Sequence, residues 1–126
     1  MLKGVGQMPK SVFAITTVGF YSLDPTYPCA EHLKGTMRQR TVGLFGNLEH
    51  AQKILDGDYG DLNEAGWYPW AIIEQIEFGL YPEMEPSGAL FYEYDGNGWK
   101  KLDGIPQIIA DYLKSLSQMV WFAEIG

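Results

Sequence analysis

The sequence predicts an α+β fold: a mostly antiparallel sheet of about five to six strands with two helices packed on one face. Three observations support this expectation. Runs rich in Val, Ile, Thr and aromatic residues recur along the chain, as in covered strands. The segments 48–55 and 105–116 instead place apolar residues at helical spacing. The segment 89–102, ALFYEYDGNGWKKL, carries Asn-Gly between two strand-like runs, which is a strong hairpin signal.

A single domain is expected. A chain of 126 residues with 46% hydrophobic residues has the commonest size of one domain and can bury about two-thirds of its unfolded surface. Residues 1–126 are therefore predicted to share one core. Residues 1–10 are predicted to be a loose arm, because Gly4, Gly6 and Pro9 interrupt any periodicity.

The first strand is predicted over 11–21, SVFAITTVGFY, with both faces at least partly covered. A long loop over 22–37 follows, and loops of that length are uncommon unless they bind or order something. Cys29 and His32 lie three residues apart in this loop. No second pair with ligand spacing follows them, so no metal site is predicted.

The segment 40–55, RTVGLFGNLEHAQKIL, predicts a strand followed directly by a capped amphipathic helix. Gly46 breaks the strand, Asn47 is a good N-cap, and Gly57 is placed to stop the helix. The core-facing residues of this helix are expected to be Leu48, Ala51, Ile54 and Leu55.

Arg40 has two interpretations. Strand alternation predicts that Val42 and Leu44 share its face, with Thr41 and Phe45 on the other, so that a cation lies on an otherwise apolar side. Such a residue is typical of an edge strand or of a salt bridge to a carboxylate. The alternative is an arginine that binds an anion.

Two turn regions flank the third predicted strand. In the first, 56–66, the EF-hand register with Asp56 at position one puts Trp67 where the bidentate Glu belongs, so the match fails. Asp and Gly here are expected to turn the chain, with a weak calcium site as the alternative. The strand is predicted over 67–77, in a central position because both its faces are apolar. A Pro- and Gly-rich bend over 79–88 follows it.

The second helix is predicted over 105–116, with Asp103 as its cap and Pro106 tolerated in the first turn. A final strand is predicted over 119–125, MVWFAEI, paired inside the sheet. The core-facing residues of the helix are expected to be Ile105, Ile108, Ile109, Tyr112, Leu113 and Leu116.

This order of elements, with R-T-V-G-x-F at 40–45 and A-I-I-E-x-I at 71–76 followed by G-L-Y-P at 79–82, resembles a group of small proteins of bacteria and their phages and prophages. The resemblance spans roughly residues 38–126. It implies a compact α+β fold and nothing catalytic, since no function is assigned to that group. The other matching residues are Ala51, 91–94 and 122–126.

The net charge of −7 argues against direct binding of nucleic acid, because phosphate binders need clustered Lys and Arg. The charge is also uneven. Residues 1–43 hold five cationic and two acidic side chains, so the acidic excess lies in residues 44–126. The first interpretation is that these carboxylates keep the protein soluble. The alternatives are a basic partner, or a decoy that imitates nucleic acid toward a DNA-binding protein.

The single cysteine, Cys29, excludes an internal disulfide and is typical of a reducing compartment. The first ten residues contain no apolar stretch of the kind a secretory signal has. The apolar run at 12–21 is too short to span a membrane. The expectation is a cytoplasmic protein that does not interact with membranes.

No catalytic residues and no cofactor are predicted, because the sequence contains no serine elbow, P-loop or dinucleotide glycine fingerprint. Glu74 and Glu77 are out of register and do not make a catalytic carboxylate pair. A small enzyme without a recognisable motif stays an alternative. The sequence favours a non-enzymatic binding or interaction protein, whose partner is a protein or a small anionic ligand.

Aromatic residues make up 14% of the chain, and the first interpretation is that they fill the core of a small sheet. The alternative is a binding surface that combines some of these rings with arginines. Such a surface stacks on a nucleotide-like anion or anchors a protein partner through hot spots. The edges of an open sheet also favour a homodimer. The candidate binding residues are Arg38, Arg40, Trp67, Tyr68, Trp70, Tyr81 and Tyr94.

Overall fold

A computed structural model describes residues 11–21, 34–77, 89–116 and 122–123. It contains an antiparallel five-stranded sheet with the strand order β2-β1-β3-β4-β5. The predicted α+β class and antiparallel sheet are confirmed, as is the central position of the third strand. The strands are β1 (Ser11–Phe20), β2 (Met37–Phe45), β3 (Trp70–Glu77), β4 (Leu90–Tyr94) and β5 (Trp99–Lys101).

The first helix, α1 (Leu48–Asp56), has the predicted cap: the Asn47 side chain accepts the backbone N–H of His50 at 2.7 Å. It ends at Asp56 with Gly57 as the cap, as predicted, but the left-handed residue that closes the turn lies one position later. Gly57 keeps a right-handed conformation, and the next residue, Asp58, takes the left-handed one with φ 47°. The backbone N–H of Asp58 donates to the Leu55 carbonyl at 3.0 Å, so the turn is closed one residue later than expected.

The second helix, α2 (Gln107–Lys114), is shorter than predicted and begins after Pro106 without a side-chain cap, so the assignment of Asp103 as the cap was wrong. Its apolar stripe is also less buried than the spacing suggested. Ile109 is fully buried, whereas Ile105 and Ile108 are exposed. A proline before the first turn fixes φ but provides no side-chain acceptor, which explains the later start.

The two helices pack on opposite faces of the sheet, not on one face as predicted. Ile73 of β3 packs in a cluster with Ala51 and Leu55 of α1. Its neighbour Ile72 packs with Ile109 of α2 on the other face. Adjacent residues of a strand point to opposite faces, and because both are fully buried, both faces must be covered.

A bulge in β2 changes the faces predicted around Arg40. The β1–β2 register shifts between Ile15 and Thr16, leaving Val42 as the extra residue of β2. Phe45 therefore lies with Arg40 on the α1 face, and Leu44 points to the other face, where it is 55% exposed. Strand alternation fails across a bulge, so the predicted grouping of Leu44 with Arg40 was wrong.

Several predictions fall on residues outside the described ranges: the loose arm 1–10, the loop 22–37 before residue 34 with Cys29 and His32, and the bend 79–88. Of the predicted final strand 119–125, only Phe122 and Ala123 are described, and both lie in a bend. Within the described ranges, no helix has the length and apolar character needed to cross a membrane.

Replacement of Leu55 by Ala is expected to destabilise the protein by about 3 kcal/mol, because this fully buried side chain joins α1 to the sheet. Ile54→Ala is the matched control. Ile54 is only partly buried at the edge of the same cluster, so its cost is expected at about 1–2 kcal/mol. Urea unfolding followed by circular dichroism measures the free energy of unfolding of both variants. Equal decreases in the two would contradict the assignment of Leu55 to the core and of Ile54 to its edge.

Candidate functional site

The structure brings together four of the seven predicted binding residues: Arg38 and Arg40 of β2 with Trp67 and Tyr68 of the turn before β3. We call this group, together with Tyr21 and Glu64, the arginine–aromatic cluster. Arg38 and Arg40 lie two residues apart opposite Gly19 and Thr17 of β1, which places both on the α1 face.

Arg38 is held by rings and by a backbone carbonyl. Its guanidinium carbon lies 4.2 Å from the centroid of the Trp67 ring, with the rings of Tyr21 and Tyr68 at 5.2 and 5.5 Å. Its Nε and Nη2 donate to the Trp67 carbonyl oxygen at 3.3 and 2.9 Å. These bonds do not use Nη1, so the stacked guanidinium has a further donor group.

Gly19 provides the space for this arrangement. A Cβ at position 19 would overlap the carbonyl oxygen of Trp67, the same atom that accepts from Arg38. The turn therefore approaches β1 closely only because residue 19 has no side chain.

Arg40 forms the salt bridge that its first interpretation anticipated. Its Nη1 is paired with the Glu64 carboxylate, and its guanidinium carbon lies 5.0 Å from the Tyr68 centroid. Both side chains of the pair are 39% exposed. The Arg40 Nε is buried and has no hydrogen-bond partner. Glu64 therefore offsets the charge that Arg40 presents to an anion.

The turn that carries Glu64 and Trp67 is closed by its own hydrogen bonds. Asp61 Oδ1 accepts the Glu64 N–H at 3.1 Å, and Asn63 Oδ1 accepts the Gly66 N–H at 2.8 Å. Asn63 Nδ2 also donates to the Tyr68 carbonyl at 2.9 Å. The Asp, Asn and Gly residues of this stretch therefore turn the chain, as predicted, and they present Trp67 on a fixed backbone.

The remaining candidates do not join the cluster. Trp70 points to the α2 face, where its ring meets that of Phe20 edge to face at 5.9 Å. Tyr94 lies beside Trp99, and its hydroxyl donates to Asp58 at 3.4 Å. The Asp58 carboxylate raises the pKa of the Tyr94 hydroxyl. Tyr81 lies outside the described residues.

Asp58, which follows α1, forms hydrogen bonds within the fold. Asp58 accepts from the indole nitrogen of Trp99 at 3.1 Å as well as from Tyr94, which ties the end of α1 to the β4–β5 hairpin. In the described part of the chain, no group of three or more His, Cys, Asp or Glu side chains is arranged to hold a metal ion.

Glu74 has a structural role that was not predicted from the sequence. It is fully buried on β3, and its two carboxylate oxygens accept the backbone N–H groups of Phe122 and Ala123 at 3.1 and 2.8 Å. Burial raises the pKa of Glu74, and the two N–H donors offset part of that rise. The signal was present in A-I-I-E-x-I, because a carboxylate in an apolar central strand requires polar partners.

Comparison of the chain with protein-family models, curated proteins and solved structures finds no match.

Gly19→Ala is expected to destabilise the protein by about 1–3 kcal/mol, because the new methyl group displaces the Trp67 carbonyl and breaks its bonds to Arg38. Gly46→Ala is the control, since a Cβ there meets nothing within 4 Å, and a change within about 0.5 kcal/mol is expected. Thermal and urea unfolding measure both variants. If Gly19→Ala left the free energy of unfolding unchanged, the turn would not pack on β1.

Proposed function

We propose that the chain is a non-enzymatic binding protein and that Trp67, stacked on Arg38, anchors a protein partner. The observation that carries this proposal is the combination of exposure and fixed position at Trp67. Trp67 is 53% exposed. Its position is nevertheless fixed, because Arg38 stacks on its ring and donates to its carbonyl oxygen, and because that carbonyl packs against Gly19.

An indole fixed in this way favours binding because little conformational entropy is lost when a partner covers it. Trp, Tyr and Arg are the residue types that most often dominate protein interfaces, and all three meet in this cluster. Isolated exposed apolar residues are common on protein surfaces and need no function. Trp67 differs from such a residue because Arg38 stacks on its ring and donates to its carbonyl, which holds the ring in place at the surface.

The charges of the cluster support a partner that bears a hydrogen-bond acceptor near its contact with Trp67. Arg40 is paired with Glu64, so the cation that the cluster offers is Arg38. The bonds to the Trp67 carbonyl use Nε and Nη2 of Arg38, which leaves Nη1 to donate to a carboxylate or carbonyl oxygen of the partner. A small anionic ligand would use the same group, and the experiment below separates the two.

The R-T-V-G-x-F and A-I-I-E-x-I patterns resemble those of bacterial and phage proteins, which supports a bacterial setting for the partner. We propose a host protein of the bacterial cytoplasm. The carboxylate of the cluster, Glu64, is paired with Arg40, which supports a binding role for the cluster.

The test compares tagged wild-type protein with Trp67→Ser and with the control Tyr59→Ser in capture from a bacterial lysate. Tyr59 is 63% exposed and lies outside the cluster, so its replacement removes an equivalent exposed ring. We expect a protein that wild type and Tyr59→Ser retain and Trp67→Ser loses. With that protein purified, Trp67→Ser is expected to weaken binding at least tenfold, since hot-spot truncation costs about 2 kcal/mol or more.

Equal binding by Trp67→Ser and wild type would overturn the proposal. Thermal-shift measurements with nucleotides and inorganic phosphate test the small-ligand form, and stabilisation that Arg38→Ala removes would favour it over a protein partner. Circular dichroism of each variant establishes that the fold is intact.

A further inference from the structure

The Arg38 guanidinium is a cation without a carboxylate partner in the part of the chain that the structure describes. Its Nε and Nη2 donate to the Trp67 carbonyl, a neutral oxygen, whereas Arg40 is paired with Glu64. Arg38 is half-buried, so water solvates its charge in the free protein. A partner that covers the cluster removes this water, and the partner itself must then compensate the charge.

The Trp67 ring is already in contact with one cation. The guanidinium carbon of Arg38 lies 4.2 Å from the ring centroid, and within the described ranges Trp67 forms no contact with another ring. A second cation on the exposed part of the same ring would be repelled by Arg38 and would compete for the same ring electrons. The ring therefore favours an uncharged aromatic or apolar group from a partner.

The turn that presents Trp67 has a strained backbone. Glu64 and Ala65 have positive φ angles of 47° and 55°, and Gly66 follows with 98°. The left-handed region suits Gly66 but costs free energy at the two residues before it, because their Cβ atoms crowd the backbone. Residues kept in such conformations cluster at ligand-binding sites, where they fix a contact group in advance. The strain therefore supports a binding role for the position of Trp67.

We propose that the partner of the cluster is an acidic segment, in which an Asp or Glu side chain lies within one or two residues of an aromatic ring. The carboxylate accepts from Nη1 of Arg38, and the ring covers the exposed part of Trp67. Because Arg38 and the Trp67 ring are in contact, neighbouring side chains of one segment reach both. This inference rests on the proposed function and adds the charge of the partner to it. It excludes a basic partner at this surface, although the whole chain has a net charge of −7.

The test uses three unlabelled peptides with blocked termini, in which glycines flank Trp-Glu, Trp-Gln or Trp-Lys. Each peptide is titrated into the isotope-labelled full chain, and the NMR signals of the Trp67 indole N–H and the Arg38 Nε–H report binding. We expect the Glu peptide to bind about fivefold more tightly than the Gln peptide, because hydrogen bonds between two charged groups are the stronger ones. The Lys peptide should bind most weakly.

Two variants locate this preference at Arg38. Arg38→Gln removes the charge and keeps a side-chain amide, so the Glu and Gln peptides should then bind equally. Lys53→Gln is the matched control, because it removes the same charge at an exposed position of α1 outside the cluster. This control should retain the preference for the Glu peptide. The comparison of peptides on the wild-type chain does not depend on how well the variants fold.

Equal binding of the Glu and Gln peptides to wild type, or tighter binding of the Lys peptide, would overturn the acidic partner. So would a failure of all three peptides to shift the Trp67 signal, or an Arg38→Gln variant that keeps the preference. These results leave capture of a protein through Trp67 untouched, so the proposed function is judged separately. If Trp67→Ser bound the captured protein as well as wild type does, the proposed function would fail and this inference with it.

Discussion

Burial of β3 on both faces is the constraint on which the rest of the structure depends. Ile72 and Ile73 are neighbours in the chain and both are fully buried, so neither face of the sheet can be left to solvent. α1 covers one face, and α2 covers the other together with Phe122. The same constraint places Glu74 in an apolar layer, where its carboxylate needs hydrogen-bond donors that the strand itself does not supply.

β2 connects the two faces. Arg38 and Arg40 point to the α1 face and form the arginine–aromatic cluster, while Gln39 between them reaches the Phe122 carbonyl on the α2 face. Three consecutive residues therefore contribute to two separate sites. The bulge at Val42 then reverses the alternation, so that Phe45 joins Val42 in the core beneath α1. A change of register in β2 would disturb both sites at once.

Four members of the predicted binding surface meet, and the reasons why the others do not are geometric. Trp70 follows Tyr68 by two residues, but it lies in β3, where alternation sends it to the α2 face. The hydroxyl of Tyr94 donates to Asp58, 36 positions away in the chain, and so lies at the end of α1 and not in the cluster. Residue type alone identified rings and arginines suited to binding. It did not distinguish rings that pack inside the fold from Trp67, which Arg38 holds at the surface.

The sequence by itself determined the features that depend on neighbouring residues: the strands, the Asn47 cap, the helical stripe of Ala51 and Leu55, and the hairpin at Asn97. These follow from backbone geometry and side-chain periodicity over a few positions. Only the tertiary structure decided which face each helix covers, where β2 bulges, and which groups Arg38, Arg40 and Glu74 contact. Those outcomes depend on packing and hydrogen bonding between residues more than 20 positions apart, about which local patterns carry no information.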